Sequence, residues 1–462
     1  MSRETLIQLL YIVAFALFIY GLMGLTGPRT AVRGNWIAAA GMGVAVVATL
    51  LTPGMSNWWL ILLGVGIGTA VGVPSARQVK MTAMPQMVAL FNGVGGGAVA
   101  LIAWVEFRES AGFAGEPGHV AVASLFSALV GSVSFWGSLI AYGKLQELIT
   151  GRPVGIGKLQ QPLNLLLLLV ALACAGVVIG GGHSQLLIIG VLLAAAALGV
   201  LVVLPIGGAD MPVVISLLNA LTGLSAAAMG LALDNTALIV AGMIVGASGT
   251  ILTNLMAKAM NRSIPAIVAG GFGGGGGGAV QADGDRSVRQ TSASDAAIQM
   301  AFANQVIIVP GYGMAVAQAQ HAVRELADLL ESRGVSVYYA IHPVAGRMPG
   351  HMNVLLAEAD VPYERLKEMD EINREFARTD VAVVIGANDV TNPAARTDQD
   401  SPIYGMPILN VDESRSVIVL KRGMAPGFAG VDNALYFDPR TSMLFGDAKA
   451  SVAEVTEELK AL

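Results

Sequence analysis

A glycine-rich turn in the C-terminal half of the chain has the residue types that bind the phosphates of a dinucleotide. The apolar stretch Gln305–Val309 is typical of a buried strand, and it continues into PGYGMAVA at 310–317 and an amphipathic pattern over Met314–Ser332. Between a strand and a helix, such a turn presents backbone N–H groups and the helix dipole to a pyrophosphate. Val316 stands where the dinucleotide fingerprint has glycine or alanine, so the prediction depends on the strand, turn and helix occurring together.

The residues at two later strand ends indicate which dinucleotide would bind. The second strand, Val335–Ile341, is followed by His342, whereas an NAD site has an acidic residue there for the ribose 2′-hydroxyl. The strand Val417–Leu420 is followed by Lys421 and Arg422, and cations suit a 2′-phosphate. The sequence therefore favours NADP over NAD.

Further residues after strand ends complete the predicted pocket. They are Arg347, in the sequence VAGR at 344–347, and the turn GAND at 386–389. His342 and His351 flank the first of these loops. We predict a structural role for both, because hydride transfer between two nicotinamides needs juxtaposition rather than an acid or a base. No catalytic side chain and no metal site are predicted.

Strand and helix patterns alternate over the region that must position these residues. Val381–Ile385 is another apolar strand pattern, Tyr363–Ala377 is a helical one, and Ala448–Leu459 is a final helix capped by Asp447. Alternation of β-branched apolar strands with helices indicates an α/β, Rossmann-like domain with a parallel sheet. The carboxyl ends of parallel strands lie along one edge of a sheet, so the loops that follow them share a crevice.

The N-terminal half has a different composition, which indicates a membrane. The chain has 462 residues, is 54% hydrophobic and has a mean hydropathy of +0.66. Residues 1–262 contain 11 Lys/Arg and 7 Asp/Glu, whereas residues 263–462 contain the remaining 16 and 25 of the totals 27 and 32. This split excludes a single soluble enzyme, a disordered protein and a disulfide scaffold, and the net charge of −5 argues against nucleic acid as a partner.

About nine segments are apolar enough to be transmembrane helices, each of which needs about 20 residues. They are Leu6–Leu25, Trp36–Leu51, Trp58–Val73, Met84–Trp104, Val120–Tyr142, Leu163–Ile179, Leu186–Leu204, Val213–Leu233 and Ala237–Met256. With the N-terminus outside, nine basic residues fall in the inside loops, and only Arg3 and Arg108 fall outside. The positive-inside rule then predicts that the polar C-terminal half is cytoplasmic.

Polar side chains in these segments are candidates for moving protons, because polar groups are costly to bury in lipid. Ser216, Asn219 and Thr222 recur at intervals of three in the eighth segment, Asp210 precedes it, and Asn92 lies within the fourth. Interhelical hydrogen bonding by the asparagines, and helix capping by Asp210, are the alternatives left open. No ionisable residue lies deep within a segment, so this half supplies polar groups rather than a complete relay.

A run of glycines separates the two halves. Gly273 to Gly278 are consecutive, and such a run acts as a flexible tether. We therefore predict a transmembrane domain at 1–262, a flexible linker at 263–294 and an NADP(H)-binding domain at 295–462. The single cysteine, Cys174, lies in an apolar segment and can form no internal disulfide.

Several longer motifs resemble those of the beta subunit of proton-translocating NAD(P) transhydrogenase, and the resemblance extends over essentially the whole chain. They are GGADMP at 207–212, KAMNRS at 258–263, PGYGMAVAQAQ at 310–320, IHPVAGRMPGHMN at 341–353, GAND at 386–389 and LFGDAK at 444–449.

The resemblance implies an NADP(H)-binding subunit that works with an alpha subunit carrying NAD(H). It implies hydride transfer from NADH to NADP coupled to inward proton translocation. It also implies a location in a bacterial inner membrane, in contact with lipid, and a higher oligomer such as a dimer of alpha–beta units. The family pattern assigns to the pyrophosphate Gly311, Tyr312, Gly313, Ala345, Gly346 and Arg347. It assigns Asn388 and Asp389, with Gly386 in the same turn, to the nicotinamide side, and Lys421 and Arg422 to the 2′-phosphate. Phe428 and Asp447 are assigned to loops that close over the nucleotide, and Asp210 and Asn219 to proton coupling.

One departure from the family affects the proton path. Some members have a histidine in the fourth segment where this chain has Asn92, so the titrating group is expected from the alpha subunit or from another site. A different class of function is the alternative: an ion transporter or antiporter regulated by a nucleotide-binding domain. That alternative predicts paired acidic residues within the membrane and an acidic strand end for NAD, and the sequence has neither.

Overall fold

The N-terminal half of the chain consists of long helices. A computed structural model describes residues 2–150, 153–207, 210–261, 263–268, 288–347, 350–399, 401, 403–427 and 429–462. Within these residues nine helices are long and apolar enough to cross a bilayer, which confirms the number predicted. They are α1 (Arg3–Gly24), α2 (Pro28–Leu50), α3 (Trp58–Gln78), α4 (Met84–Glu109), α5 (Gly118–Leu145), α6 (Gln160–Ile179), α7 (Gln185–Val203), α8 (Met211–Ala232) and α9 (Thr236–Ala259). The glycine run and Phe428 lie outside the described residues.

Glycines bring four of these helices into close contact. A β-carbon on Gly131 of α5 would lie 2.7 Å from the Gly96 carbonyl oxygen of α4, and one on Gly223 of α8 would lie 2.5 Å from the Gly246 amide nitrogen of α9. Small residues permit such an approach where lipid gives no hydrophobic drive for helix association. In α3, by contrast, no residue is buried, and its four glycines have no neighbouring atom within 4 Å.

In the described part of the polar half, six strands form one parallel sheet. They are β1 (Gln305–Pro310), β2 (Ser336–Ile341), β3 (Leu366–Glu368), β4 (Val381–Ile385), β5 (Ser416–Lys421) and β6 (Thr441–Phe445). Their order in the sheet is β3-β2-β1-β4-β5-β6, with every neighbouring pair parallel. This is the order of a doubly wound dinucleotide-binding fold, and it reverses between β1 and β4. The α/β class predicted from the sequence is confirmed.

Helices and short turns cover the two faces of the sheet. Alternate residues of β1 point to opposite faces: Val306 and Ile308 belong to one apolar core, and Ile307 and Val309 belong to the other. The first core is covered mainly by helices, whereas 3₁₀ turns carry Phe376 and other residues onto the second. The remaining helices are α10 (Ile264–Val268), α11 (Ala293–Ala301), α12 (Tyr312–Val316), α13 (Gln320–Ser332), α14 (His351–Glu358), α15 (Met369–Ile372), α16 (Ala394–Thr397) and α17 (Ala448–Ala461).

Two predicted helices differ from the structure. The prediction of a helix at 363–377 is wrong, because this segment contains β3 and the short α15. β3 pairs with Tyr339–Ile341 of β2. The helix predicted at 314–332 is two helices, α12 and α13, separated by Gln318 in the left-handed conformation at φ +49°. The strand β6 was also not predicted. β3 and β6 are the two edge strands of the sheet, and each depends on pairing with a neighbouring strand for its conformation.

The two halves of the chain are in contact near one end of the sheet. Val344, in the loop after β2, packs against apolar residues at the ends of α5, α8 and α9. Arg29 of α2 forms an ion pair with Glu364, and Asn261 lies beside Gly405. These contacts involve the ends of the membrane helices that the charge count assigns to the inner side.

Candidate functional site

A crevice lies between the ends of β1 and β4, where the strand order reverses. The Gly311 N–H donates to the Ile385 carbonyl oxygen at 2.9 Å, and the Gly313 N–H donates to the Gly386 carbonyl oxygen at 3.0 Å. A β-carbon on Gly311 would overlap the backbone of Ala387, and one on Gly313 would lie 2.7 Å from the Gly386 Cα. Only glycine lets the two turns pack in this way.

This packing changes the expected use of the glycine turn. From the sequence we expected its N–H groups to face a pyrophosphate, but those of Gly311 and Gly313 are bonded to the end of β4. The helix that follows, α12, is also only five residues long. The two glycines therefore shape the crevice, and a ligand there must find other donors.

A cleft of about 290 Å³ opens beside this turn. It lies at the carboxyl ends of β4, β5 and β6, and the start of α17 closes one side of it. Five of the predicted site residues line it: Gly313, Gly386, Asn388, Lys421 and Arg422. A crevice outside the carboxyl ends of the strands at the reversal of strand order is where doubly wound sheets bind their ligands.

The side-chain amide of Asn388 is fixed by hydrogen bonds to its oxygen atom. Its Oδ1 accepts hydrogen bonds from Asn433 Nδ2 at 3.1 Å and from the Tyr436 hydroxyl at 2.9 Å. Its Nδ2 is buried and has no hydrogen-bond partner among the described residues. Because buried donors are normally paired, this amide is suited to an acceptor oxygen supplied by a ligand.

Lys421 is a partly buried cation at the end of β5. Its Nζ donates to the Ala425 carbonyl oxygen and lies 4.9 Å from the centre of the Tyr436 ring. Burial lowers the pKa of Lys421, and the carboxylates of Asp389 and Asp432 oppose that shift. An ammonium that has already lost part of its hydration interacts more strongly with an anion than a fully solvated one does.

Three other charged residues border the cleft. Arg422 has a side chain that is 65% exposed, and its Nε lies 4.0 Å from Asp447 Oδ2. Asp447 also caps α17, as predicted, by accepting the Lys449 N–H at 3.1 Å. Asp389 Oδ2 accepts the Ala429 N–H at 3.0 Å, which fixes the segment after β5 near the cleft.

A second group of predicted residues lies on the β2 side of the crevice, outside the cleft. The guanidinium carbon of Arg347 is 4.2 Å from the centre of the Tyr312 ring. Its Nη1 donates to the Leu145 carbonyl oxygen at 3.0 Å, and its Nη2 pairs with Glu147 Oε1 at 3.0 Å. Leu145 and Glu147 belong to the membrane half, so Arg347 joins the two halves. We refer to Tyr312, Arg347 and Glu147 as the interdomain corner.

The loop that bears Arg347 has a conformation that requires glycine. Gly346 has a φ of +104°, and a β-carbon on it would lie 2.5 Å from His351 Nδ1. The same Nδ1 accepts the Arg347 N–H at 3.1 Å, and the neighbouring Ala345 is buried. Burial lowers the pKa of His351 to about 4, and the nearby Arg347 charge adds to the effect.

His342 is also a buried, neutral residue of this loop. Its Nε2 is 2.8 Å from the Pro407 carbonyl oxygen, and its Nδ1 accepts the Val344 N–H at 3.2 Å. Burial lowers its pKa to about 4, while the hydrogen bond to Pro407 opposes the shift. Both ring nitrogens are therefore engaged with the backbone rather than with the cleft.

In the membrane half, Asn92 bonds to hydroxyl groups on α5. Its Nδ2 donates to Ser138 Oγ at 2.9 Å and to Ser134 Oγ at 3.3 Å. Ser134 Oγ is in turn 2.5 Å from Thr222 Oγ1 of α8. Asn92 thus belongs to a buried polar cluster that joins α4, α5 and α8.

The predicted polar stripe of α8 faces two different helices. Ser216 Oγ accepts a hydrogen bond from Thr253 Oγ1 of α9 at 3.0 Å, whereas Thr222 is beside α5. A spacing of six residues leaves side chains about 120° apart around a helix, which explains the divergence. Asn219 lies between them and is half-buried. Asp210 is buried before α8 but makes no side-chain capping hydrogen bond to it.

Comparison with known proteins identifies the family. The family model described as NAD(P) transhydrogenase beta subunit matches residues 7–458. Two sequences named NAD(P) transhydrogenase subunit beta from Rhodospirillum rubrum, one of them from a named strain, are each 51% identical over 456 residues, 97% of this chain and 98% of theirs. The chain belongs to the NAD(P) transhydrogenase beta subunit family.

Membership of the beta subunit family decides between the two classes of function considered from the sequence. A transhydrogenase is an oxidoreductase, and the family combines membrane helices with a parallel-sheet domain as found here. The beta subunit's name implies an alpha subunit as partner, and the family implies use of NADP(H) and NAD(H). An ion transporter with a regulatory nucleotide domain is not supported.

Three residues of the candidate site were missed by sequence reasoning. Asn433 and Tyr436 orient Asn388 from 45 and 48 residues away, and Glu147 is 200 residues from Arg347. No motif at such separations marks these pairs. Locally, Asn433 and Tyr436 lie in the segment VDNALYF at 431–437, which has no pattern that marks a site.

Proposed function

We propose that this chain binds NADP(H) in the cleft at the carboxyl edge of the sheet and that hydride passes to it from NADH held by the alpha subunit. The observation that carries the proposal is that Lys421, Arg422 and Asn388 line one cleft, and that the Asn388 Nδ2 has no hydrogen-bond partner within the part of the chain that the structure describes. When bound, the nicotinamide supplies the hydride chemistry. The chain's own residues then only have to bind and orient it.

The residues of the cleft fit a phosphorylated ribose better than an unmodified one. Two adjacent cations lie at the end of β5, and one of them is already partly desolvated. After β2, where an NAD site would have a carboxylate, the side chain is His342, which is buried and bonded to Pro407. Lys421 and Arg422 would bind the 2′-phosphate, and Asn388 and Asp389 would lie near the nicotinamide.

The assignments at the interdomain corner and in the closing loops complete the proposed site. Tyr312, Ala345, Gly346 and Arg347 are proposed for the pyrophosphate, together with the shaping glycines Gly311, Gly313 and Gly386. Phe428 and Asp447 are proposed to close over the nucleotide.

We also propose the domain limits 1–262, 263–294 and 295–462. One backbone hydrogen bond of the C-terminal domain involves a residue just before the limit at 295, because the Arg289 carbonyl oxygen accepts the Met443 N–H at 2.8 Å.

Substituting Lys421 by alanine tests the preference for NADP(H). Loss of one charge-assisted hydrogen bond should weaken NADPH binding roughly tenfold to a hundredfold and should leave weak NADH binding unchanged. The measurement is equilibrium binding of NADPH to the complete alpha–beta complex in detergent, with the affinity of the same cleft for NADH read from its competition with NADPH. Lys449→Ala is the matched control, because Lys449 is exposed on α17 beyond the cleft. An equal loss of NADPH and NADH affinity would contradict the proposal.

We further propose that Asn92, Asn219 and Asp210 lie on a path for inward proton translocation. Supporting it is the polar cluster of Asn92, Ser134, Ser138 and Thr222, which runs between three helices. In reconstituted liposomes Asn219→Leu should reduce proton uptake per hydride transferred. Ser132→Ala is the control, because Ser132 bonds to Leu192 on α7, away from the cluster. Unchanged coupling in Asn219→Leu would remove that residue from the path.

We propose that the protein is located in a bacterial inner membrane with its C-terminal domain in the cytoplasm. We also propose that it is part of a dimer of alpha–beta units. The basic loops of the membrane half and the docking of the polar half on the same side support this orientation. Because Cys174 is the only cysteine, a Cys174→Ala background permits labelling tests. Glu116→Cys should react with an impermeant maleimide from outside, and Lys158→Cys only after the membrane is opened. The reverse pattern would overturn the orientation.

A further inference from the structure

Among the described residues of the proposed nucleotide site, Arg347 has a guanidinium that binds the membrane half. We propose that Glu147 is a docking residue that competes with the bound dinucleotide for Arg347, so that docking of the two halves lowers the affinity for NADP(H). The inference rests on the proposed function, in which Arg347 binds a phosphate of NADP(H).

The membrane half engages both ends of the guanidinium. Nη2 pairs with Glu147 Oε1 at 3.0 Å and Nη1 donates to the Leu145 carbonyl oxygen at 3.0 Å. The same carbonyl also accepts from Gln86 Nε2 of α4 at 3.1 Å, so it is held in place by a second helix. Arg347 is only 9% exposed in this arrangement and does not line the cleft. A phosphate oxygen that accepts from Nη2 would have to replace the Glu147 carboxylate there.

The backbone of Glu147 is unusual for a glutamate. It follows the C-cap residue Gln146 of α5 in the left-handed conformation, with a φ of +61°. Its N–H donates to the Lys144 carbonyl oxygen, and the Ile149 N–H donates to that of Gly143, so this conformation ends the helix. Glycine is the favoured residue at such a position because it has no β-carbon. A glutamate there is disfavoured for the helix end itself, which points to a use for its carboxylate.

The contact is of a kind that can be released easily. The Glu147 side chain is 78% exposed, so its carboxylate keeps most of its hydration whether or not it is paired. Exposed ion pairs contribute little to stability. A ligand that binds only one of two states shifts the balance between them, and the linkage is reciprocal. NADP(H) binding through Arg347 should therefore weaken docking, and docking should weaken NADP(H) binding.

A second ion pair between the halves provides a matched control. Arg29 and Glu364 are both exposed, and neither is a proposed nucleotide residue. Glu147→Gln and Glu364→Gln each remove one carboxylate from an interdomain ion pair, but only the first shares its partner with the nucleotide site. The two substitutions therefore separate competition for Arg347 from docking in general.

The experiment uses the complete alpha–beta complex in detergent and measures NADPH binding directly, together with hydrogen exchange of residues 143–149 without nucleotide. Glu147→Gln should lower the Kd for NADPH roughly twofold to fivefold and speed exchange of that segment. Glu364→Gln should leave the Kd unchanged. Glu147→Gly, which also relieves the left-handed backbone, should tighten binding in the same direction, so the effect does not depend on a disturbed helix end.

Each other outcome overturns a definite part of the argument. An unchanged or higher Kd in both Glu147 variants overturns the competition while leaving the proposed function intact. Equal tightening by Glu147→Gln and Glu364→Gln overturns the role of Arg347 and assigns the effect to docking as a whole. No NADPH binding by the unaltered complex overturns the proposed function and this inference together.

Discussion

The two sides of the crevice at the end of the sheet use their polar groups in opposite ways. On the side of β4, β5 and β6, the cleft is lined by Lys421 and by Asn388, whose amide nitrogen has no hydrogen-bond partner among the described residues. On the β2 side, Arg347 is buried and bound to the membrane half. One side is therefore prepared for a ligand, and the other is engaged with another part of the same chain.

This difference leads us to expect that docking of the membrane half affects one side of the proposed nucleotide site more than the other. Of the residues proposed for the pyrophosphate, Ala345, Gly346 and Arg347 are on the loop that touches the membrane helices, whereas those proposed for the 2′-phosphate are on the far side of the cleft. Binding through the far side should be independent of docking. Binding through Arg347 should not be, because a contact made in only one state contributes to linkage.

The largest expected effect comes from Gly311, which joins the two sides. In Gly311→Ala the new β-carbon would overlap the Ala387 backbone, so β1 and β4 could not keep their present contact. We expect a loss of about 3 kcal/mol or more in the free energy of unfolding, and loss of NADPH binding. Thermal unfolding and nucleotide binding of the purified chain measure both. Gly423→Ala is the control for stability, because a β-carbon there meets nothing within 4 Å.

A second expected effect concerns the two buried histidines of the loop that bears Arg347, and it depends on pH. His342 and His351 have pKa values lowered to about 4 by burial, whereas an unfolded histidine titrates near pH 6.5. Between these values the unfolded chain binds protons that the folded chain does not. Stability should therefore fall as the pH drops from about 6.5 towards 4, by about 1.4 kcal/mol per pH unit for each histidine, and should be constant just above that range.

Thermal unfolding at a series of pH values checks this dependence, with His342→Asn as the variant. The asparagine Oδ1 can still accept the Val344 N–H, but it cannot be protonated, so about half of the pH dependence should disappear. Lys449→Ala should keep the full dependence. Equal slopes for His342→Asn and the unaltered chain would mean that the fold does not hold His342 in the neutral state.

The smallest expected effect is confined to the cleft. Tyr436→Phe removes one of the two hydrogen bonds that orient Asn388, and a net loss of about 1 kcal/mol should weaken NADPH binding roughly fivefold. Tyr404→Phe, at an exposed tyrosine, is the control. Because Tyr436 is on the cleft side, the docking contact of Arg347 should not change. Faster hydrogen exchange of residues 143–149 in Tyr436→Phe would show that the two sides are not independent.

The sequence determined those features that depend on neighbours close along the chain. The nine helices of membrane-crossing length among the described residues follow from runs of apolar residues, and the parallel sheet follows from alternating strand and helix patterns. The capping of α17 by Asp447 follows from its position before a helix. The cations Lys421 and Arg422 were found because they directly follow a strand. Each of these signals is contained within one helix, strand or turn, where local preference and periodicity are strong.

Tertiary structure decided what depends on residues far apart in sequence. The segment predicted as a helix at 363–377 contains a strand, because β2 supplies the hydrogen-bonding partner for it. The N–H groups of Gly311 and Gly313 bond to the end of β4, and Arg347 binds Glu147 rather than facing the cleft. No local pattern encodes such pairings, since their free energy arises only when the folded chain brings the partners together. A sequence therefore identifies which residues can bind a dinucleotide, but the fold decides which of them are available to do so.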